Sequence, residues 1–150
     1  MDEIKANKQY HPQMHSAQHI LNQTMVRMFN CGRSFSAHIE RKKSKCDYHL
    51  NRNLTNEEIN EIEKRVNSVI KADMPVNEKF LSRDEAVKEV SISKLPEDAG
   101  ETVRIITIGD YDKCPCSGPH VKSTKEIGEF KIISTDFNNG TLRLRFKLSD

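Results

Sequence analysis

Two short stretches of this chain carry metal-binding side chains at the same interval. "MHSAQHILNQTM", residues 14 to 25, sets His15 and His19 four apart, and "KCPCSGPHVKST", residues 113 to 124, does the same with Cys116 and His120. In a helix, residues four apart stack on one face with Cβ atoms about 6 Å apart, so two imidazoles can converge on one ion. A thiolate and a further imidazole are both good zinc ligands. Taken alone, the histidine spacing is equally compatible with two side chains that face water. A zinc protease places Glu directly after the first His as general base. Here Ser16, Ala17 and Gln18 fill that interval, so the protease reading fails. Cys114-Pro115-Cys116 lacks the spacing of a thioredoxin-like pair, and Cys114 reads as a bystander or buried thiol. His15, His19 and Cys116 therefore form a candidate zinc site, with His120 as fourth ligand or as a nearby base that handles water.

The elements that must hold these residues can be read from periodicity. Met14, Ala17, Leu21, Met25 and Met28 recur at helical intervals, which predicts a helix from Met14 to about Phe29. The two histidines fall on the side opposite that stripe. "SFSAHIE" (34 to 40) and "KCDYHLN" (44 to 50) predict strands joined by the charged turn "RKKS". A second helix opens with a capping box, Thr55 with Glu58, and stops before Pro75, burying Ile59, Ile62, Val66, Val69 and Ile70. The strand "VNEKFLS" and a short helix from Ser82, with Glu85 as a second capping box, follow. "SKLPEDAGE" reads as a polar connector, "TVRIITIG" as a central strand, and "GEFKIISTDFNNGTLRLRFKL" as a hairpin turning at Asn139-Gly140. In its second strand Leu142, Leu144, Phe146 and Leu148 face inward and Arg143, Arg145 and Lys147 outward. The expected architecture is α+β, a two-layer arrangement of a mixed or antiparallel sheet with helices on one face. All of 1–150 is expected to form one domain, with 1–12 as an irregular lead-in.

Composition sets the outer limits. The 150 residues are 35% hydrophobic and 31% charged, with a formal net charge of +2, which permits a nucleic-acid partner without requiring one. No apolar run reaches the roughly 20 residues of a membrane span, and the first residues have no apolar core of a secretory signal. The expected compartment is the cytoplasm, where Cys31 and Cys46 are packing residues rather than disulfide partners.

The combined pattern resembles a known family. H-x-x-x-H early and C-x-x-x-H late, followed by "VKSTKEIGEFKI", resemble the editing domain shared by alanyl- and threonyl-tRNA synthetases. The helix "LTNEEINEIEKRVNSVI", the "MPV" after it and "VRIITIGDYD" before the cysteines extend the likeness, most closely to the short free-standing alanyl-tRNA editing proteins. The resemblance implies hydrolysis of the ester between a wrong amino acid, serine or also glycine, and alanine tRNA. It also implies one zinc per chain, held by His15, His19, Cys116 and His120, with Cys116 and His120 central to catalysis. No synthetase core fits in 150 residues, so the protein is expected to act in trans on the acceptor end of misacylated tRNA, with no membrane or protein partner. The alanyl branch reads Cys-Gly-Gly-Thr-His where this chain has Cys116-Ser117-Gly118-Pro119-His120, and a Gly-Pro-His ending is more like the threonyl version. Serine removal from threonine tRNA is therefore the alternative, and a zinc-stabilised tRNA-binding module without catalysis is a second. Ser36 and His38 align with pocket positions, and Pro119 removes a backbone donor beside the metal. Arg41, Lys42 and Lys43 in the strand turn, with Lys122 and Lys125 beside the second motif, are the candidate tRNA contacts.

Overall fold

The computed structural model describes residues 11–89 and 102–149, so the expected lead-in (up to residue 10) and the "SKLPEDAGE" connector lie outside the described residues. Helix α1 spans Pro12–Phe29. Its proline sits in the first turn, where a missing N–H costs nothing, and Asn30 closes it in the left-handed region (φ 53°), donating to the Val26 carbonyl. Strands β1 (Ser36–His38) and β2 (Ser44–His49) follow, then α2 (Asn56–Lys71). The expected box at the start of α2 is complete: Glu58 N–H donates to Thr55 Oγ1 (3.1 Å) and Thr55 N–H to Glu58 Oε1 (2.9 Å). The other expected box is also made, Ser82 with Glu85, where β3 (Val76–Ser82) passes into α3 (Arg83–Glu89). Then come β4 (Thr102–Ile108), β5 (Asp112–Pro115), a 3-10 turn (Thr124–Ile127), β6 (Glu129–Asn138) and β7 (Thr141–Ser149).

The fold is α+β, and its strands form two antiparallel sheets rather than one. One has the order β1-β2-β7-β6 and the other β3-β4-β5. The division is physical: β7 is saturated by β2 and β6, and β4 by β3 and β5, so each β-branched or apolar central strand closes its own sheet. The β6–β7 hairpin turns at Asn139 (φ 49°) and Gly140 (φ 82°), the two positive φ angles of a type I′ turn. Leu142, Leu144 and Phe146 are fully buried against both long helices' core residues, among them Leu21, Met25, Ile62 and Val66. Ile59 is only half-buried at the edge of that cluster. Cys46 is buried, Cys31 half-buried, and both are free thiols.

Helix α1 departs from the expectation of one buried and one wet side. Ser16, His19, Asn22 and Thr24 are buried along with the apolar stripe. One line of the helix lies along β2. Ser44 Oγ donates to Met14 Sδ at 3.4 Å, Gln18 sits beside the Cys46 thiol, and Tyr48 OH donates to Asn22 Oδ1 at 2.7 Å. Four helical residues advance about 6 Å and two strand residues about 6.7 Å, so α1 and β2 run side by side nearly in step. The opposite, polar side of α1 is covered by the segment from Tyr111 to Val121, and the histidines lie there.

Candidate metal centre

Four of the expected ligands converge. The donor atoms of His15, His19, Cys116 and His120 all lie within 4.8 Å of one another, although the helix and the loop are separated by about a hundred residues. Tetrahedral zinc with bonds of 2.0–2.3 Å needs donors about 3.3–3.8 Å apart, so a slight contraction would close the set. His15 Nε2 already stands 3.2 Å from Cys116 Sγ. The rings of His15 and His120 stack at 4.1 Å, and His19 meets each of the other two edge-on.

Each imidazole is oriented by its second nitrogen. His15 Nδ1 lies 3.1 Å from the Pro119 carbonyl, which only accepts, so Nδ1 carries the proton and Nε2 turns its lone pair on the cluster. His19 Nδ1 faces Asp112 Oδ2 at 3.5 Å, too long for a good hydrogen bond, so the carboxylate stands behind the ring without gripping it. His120 Nδ1 is 2.8 Å from Ser16 Oγ, which also accepts from Val121 N–H at 3.2 Å. That leaves His120 Nε2 buried with no partner, an orphaned atom within the ligand cluster.

Electrostatics suit a cation. Burial, then the neighbouring His19, lowers His15 to about 4, and burial with both other histidines lowers His120 to about 2. His19 is lowered by burial too, against the opposing pull of Asp112. Burial, then Cys114, pushes the Cys116 thiol up to about 12. Three neutral imidazoles therefore offer lone pairs at neutral pH, and a metal that binds Cys116 as thiolate must displace its proton. The residues present fit zinc: soft and borderline donors, an orphaned imidazole nitrogen, and a carboxylate behind one histidine.

Sequence reasoning missed the residues that hold this cluster in place. Asp112 opens β5 with its side chain fully buried, clasped by Arg33 (2.7 and 3.2 Å) and by Gln23 (2.8 Å). Burial alone would raise its carboxyl; His19 and Arg33 outweigh that and hold it well below the usual range. Arg104, on β4, donates to the carbonyls of Cys116 (3.1 Å) and Gly118 (2.8 Å) and pairs with Glu78, pinning the loop that carries Cys116 and His120. Gly118 sits at φ 101°, a backbone region that a side chain disfavours. Tyr111 closes the end of the covering segment, sharing a 2.6 Å hydrogen bond with Thr24 while Arg27 stacks on its ring. The available signal was "GDYDKC", where an acidic residue stands beside the cysteines.

The other expected site residues are not gathered there. Ala37 pairs with inward-facing Cys46, so alternation turns Ser36 and His38 to the sheet face away from α1. Both are exposed, and His38 pairs with Glu40. Pro119 is exposed, and its carbonyl rather than its missing donor meets the cluster, through His15. Cys114 is buried, as its reading as a buried thiol anticipates. Arg41, Lys42, Lys43, Lys122 and Lys125 are all exposed.

Residues 103–144 match the family described as the threonyl and alanyl tRNA synthetase second additional domain. An alanine–tRNA ligase of Fervidobacterium nodosum is 36% identical over 135 residues, covering 89% of this chain and 15% of the ligase. The ligase of Leptospira biflexa is 34% identical over 126 residues, 79% of this chain and 13% of its own length. That of Methanopyrus kandleri is 31% identical over 113 residues, 73% of this chain and 12% of its own. The chain thus spans about an eighth to a seventh of the length of the curated relatives it matches.

Proposed function

Because this chain belongs to the family of the threonyl and alanyl tRNA synthetase second additional domain, we propose that it is an aminoacyl-tRNA deacylase acting in trans. In this reading it forms one editing domain, uses one zinc ion per chain, and removes serine, or glycine, wrongly attached to alanine tRNA in the cytoplasm. The observation that carries the reading is the convergence of His15, His19, Cys116 and His120 within 4.8 Å.

The chemistry asked of the protein is modest, since an amino-acid ester of ribose is already labile; positioning the carbonyl and water is most of the task. Zinc held by these residues would supply a Lewis acid. In this reading His15, hydrogen-bonded to Pro119, and His19, backed by Asp112, are with Cys116 the constant ligands. His120 is the adaptable member: Ser16 anchors its Nδ1, leaving Nε2 either to ligate or to carry a proton between water and the leaving ribose oxygen. Four permanent ligands would leave no open position, and then the centre would serve the fold alone. Arg41, Lys42, Lys43, Lys122 and Lys125 contribute phosphate contacts.

The Gly118-Pro119-His120 ending favours serine removal from threonine tRNA as the second reading. Incubating the chain with labelled serine on alanine, threonine and serine tRNAs separates these. Release from alanine tRNA alone is expected, release from threonine tRNA alone selects the second reading, and no release from any leaves a binding module. Cys116→Ala should lower hydrolysis by at least about 100-fold with loss of the zinc, as expected when a metal ligand is removed. Undiminished hydrolysis, or less than one zinc per chain after zinc addition to the unaltered protein, sinks the reading.

A further inference from the structure

Like charges stand opposite each other on the outer face of the four-stranded sheet. Lys45 of β2 pairs with Arg145 of β7, and in the next outward row Lys147 of β7 pairs with Lys131 of β6. Directly opposed cations weaken a sheet, and lysines are common on edge strands, where they deter pairing with other chains. Edge protection accounts for Lys131 of β6 but not for Lys45, Arg145 and Lys147, because β2 and β7 are the two central strands of the order β1-β2-β7-β6. Of these cations only Arg145 is paired with an acid. Asp47 is taken by Arg143 and Asp136 by Arg145, while Lys45, Lys131 and Lys147 form no ion pair among the described residues. The face is also concave: a cavity of about 170 Å³ is lined by Lys43, Lys45 and Arg145, with His38 and Glu40 paired to each other at its rim. Its floor reaches Ser44, whose hydroxyl touches Met14, the residue preceding the ligand His15. The basic hollow therefore lies at the same end of α1 as the metal centre.

We propose that this outer face, centred on Lys45, Arg145, Lys131 and Lys147, holds the phosphodiester backbone of the RNA whose end enters the metal centre. A polyanion with regularly spaced phosphates is what two successive rows of opposed cations complement, and a single small anion would leave one row bare. The choice of tRNA as that RNA rests on the deacylase reading; the assignment of the face to phosphates rests on the charge rows.

The double variant Lys45→Gln/Lys147→Gln tests it, with Lys64→Gln/Lys71→Gln, exposed on α2, as a control of equal charge change. Binding of uncharged tRNA is followed across a salt series, with circular dichroism to verify the fold. The sheet variant should bind at least about tenfold more weakly at moderate salt and lose roughly 1.5–2 from the slope of log affinity against log salt, the amount for two lost phosphate contacts. Hydrolysis of a minimal seryl-adenosine ester, which lacks the backbone, should be unchanged in it. An unaltered slope, an equal loss in the control, or attachment of the unaltered chain to phosphatidylserine vesicles but not to tRNA overturns the proposal. Hydrolysis of neither seryl-adenosine nor seryl-tRNA by the unaltered chain, with tRNA binding still lost in the sheet variant, would instead sink the deacylase reading and keep the face.

Discussion

The two sides of α1 are buried by opposite means. Toward α2 and β7 it presents Ala17, Leu21 and Met25, side chains without polar atoms that share one buried cluster with Ile62, Val66 and Leu142. Toward the segment from Tyr111 to Val121 it presents His15, Ser16, His19, Gln23 and Thr24, each committed to a named partner there. The apolar side tolerates any shape-filling neighbour, since burial energy has no direction. The polar side is directional: removing one partner leaves a buried polar group unsatisfied, which costs more than the bond itself contributes. Stability should therefore reside mainly on the first side and metal affinity on the second.

Substitutions on each side can break that division. Leu21→Ala opens a cavity in the apolar side and should destabilise by about 2–5 kcal/mol in denaturant unfolding while leaving zinc stoichiometry at one. A loss of zinc in parallel with stability would show that the two sides act as one. Asp112→Asn removes the carboxylate behind His19 but keeps its size. Zinc affinity, measured by competition with a chelator, should fall by about 10–100-fold. An unchanged affinity would reduce Asp112 to a partner of Arg33. A third test is the pH dependence of stability in chelator. His15 at about 4 and His120 at about 2 lie below the 6.5 of a free imidazole, so the unfolded chain takes up protons that the fold refuses. Stability is then full above pH 6.5 and falls as pH drops toward 4. Cys116, raised to about 12 from 9, works the other way: the fold keeps a proton that the unfolded thiol releases, so stability falls again above pH 9. Melting temperatures should trace a plateau between those limits, and Leu21→Ala should lower that plateau without moving its edges.

The same contrast explains what could be read from the chain beforehand. The box at Thr55 and Glu58, the Asn139-Gly140 turn and the alternation of Leu142, Leu144 and Phe146 are local, and each appears in the structure as its sequence implies. The cluster of His15, His19, Cys116 and His120 was legible because its residue types are rare and their interval is repeated. Arg33, Arg104 and Asp112 were not, because a buried guanidinium–carboxylate clasp between residues 79 apart leaves no periodic trace. The amphipathic reading of α1 fell short for a related reason. Periodicity finds the apolar side, but a polar side looks the same whether water or a second layer of protein covers it.

Strand β2 contributes no donor to the cluster, yet it governs where the histidines point. Met14, Gln18 and Asn22 rest on Ser44, Cys46 and Tyr48 in turn, and His15 and His19 each follow a rung of that ladder by one residue, or about 100° of rotation. The bearing of both imidazoles is thus indexed to a neighbour outside the cluster. A residue inserted into α1 between His15 and Gln18 would swing His15 away from Cys116 while all four side chains remained in the chain, so the cluster depends on helical phase as much as on residue identity.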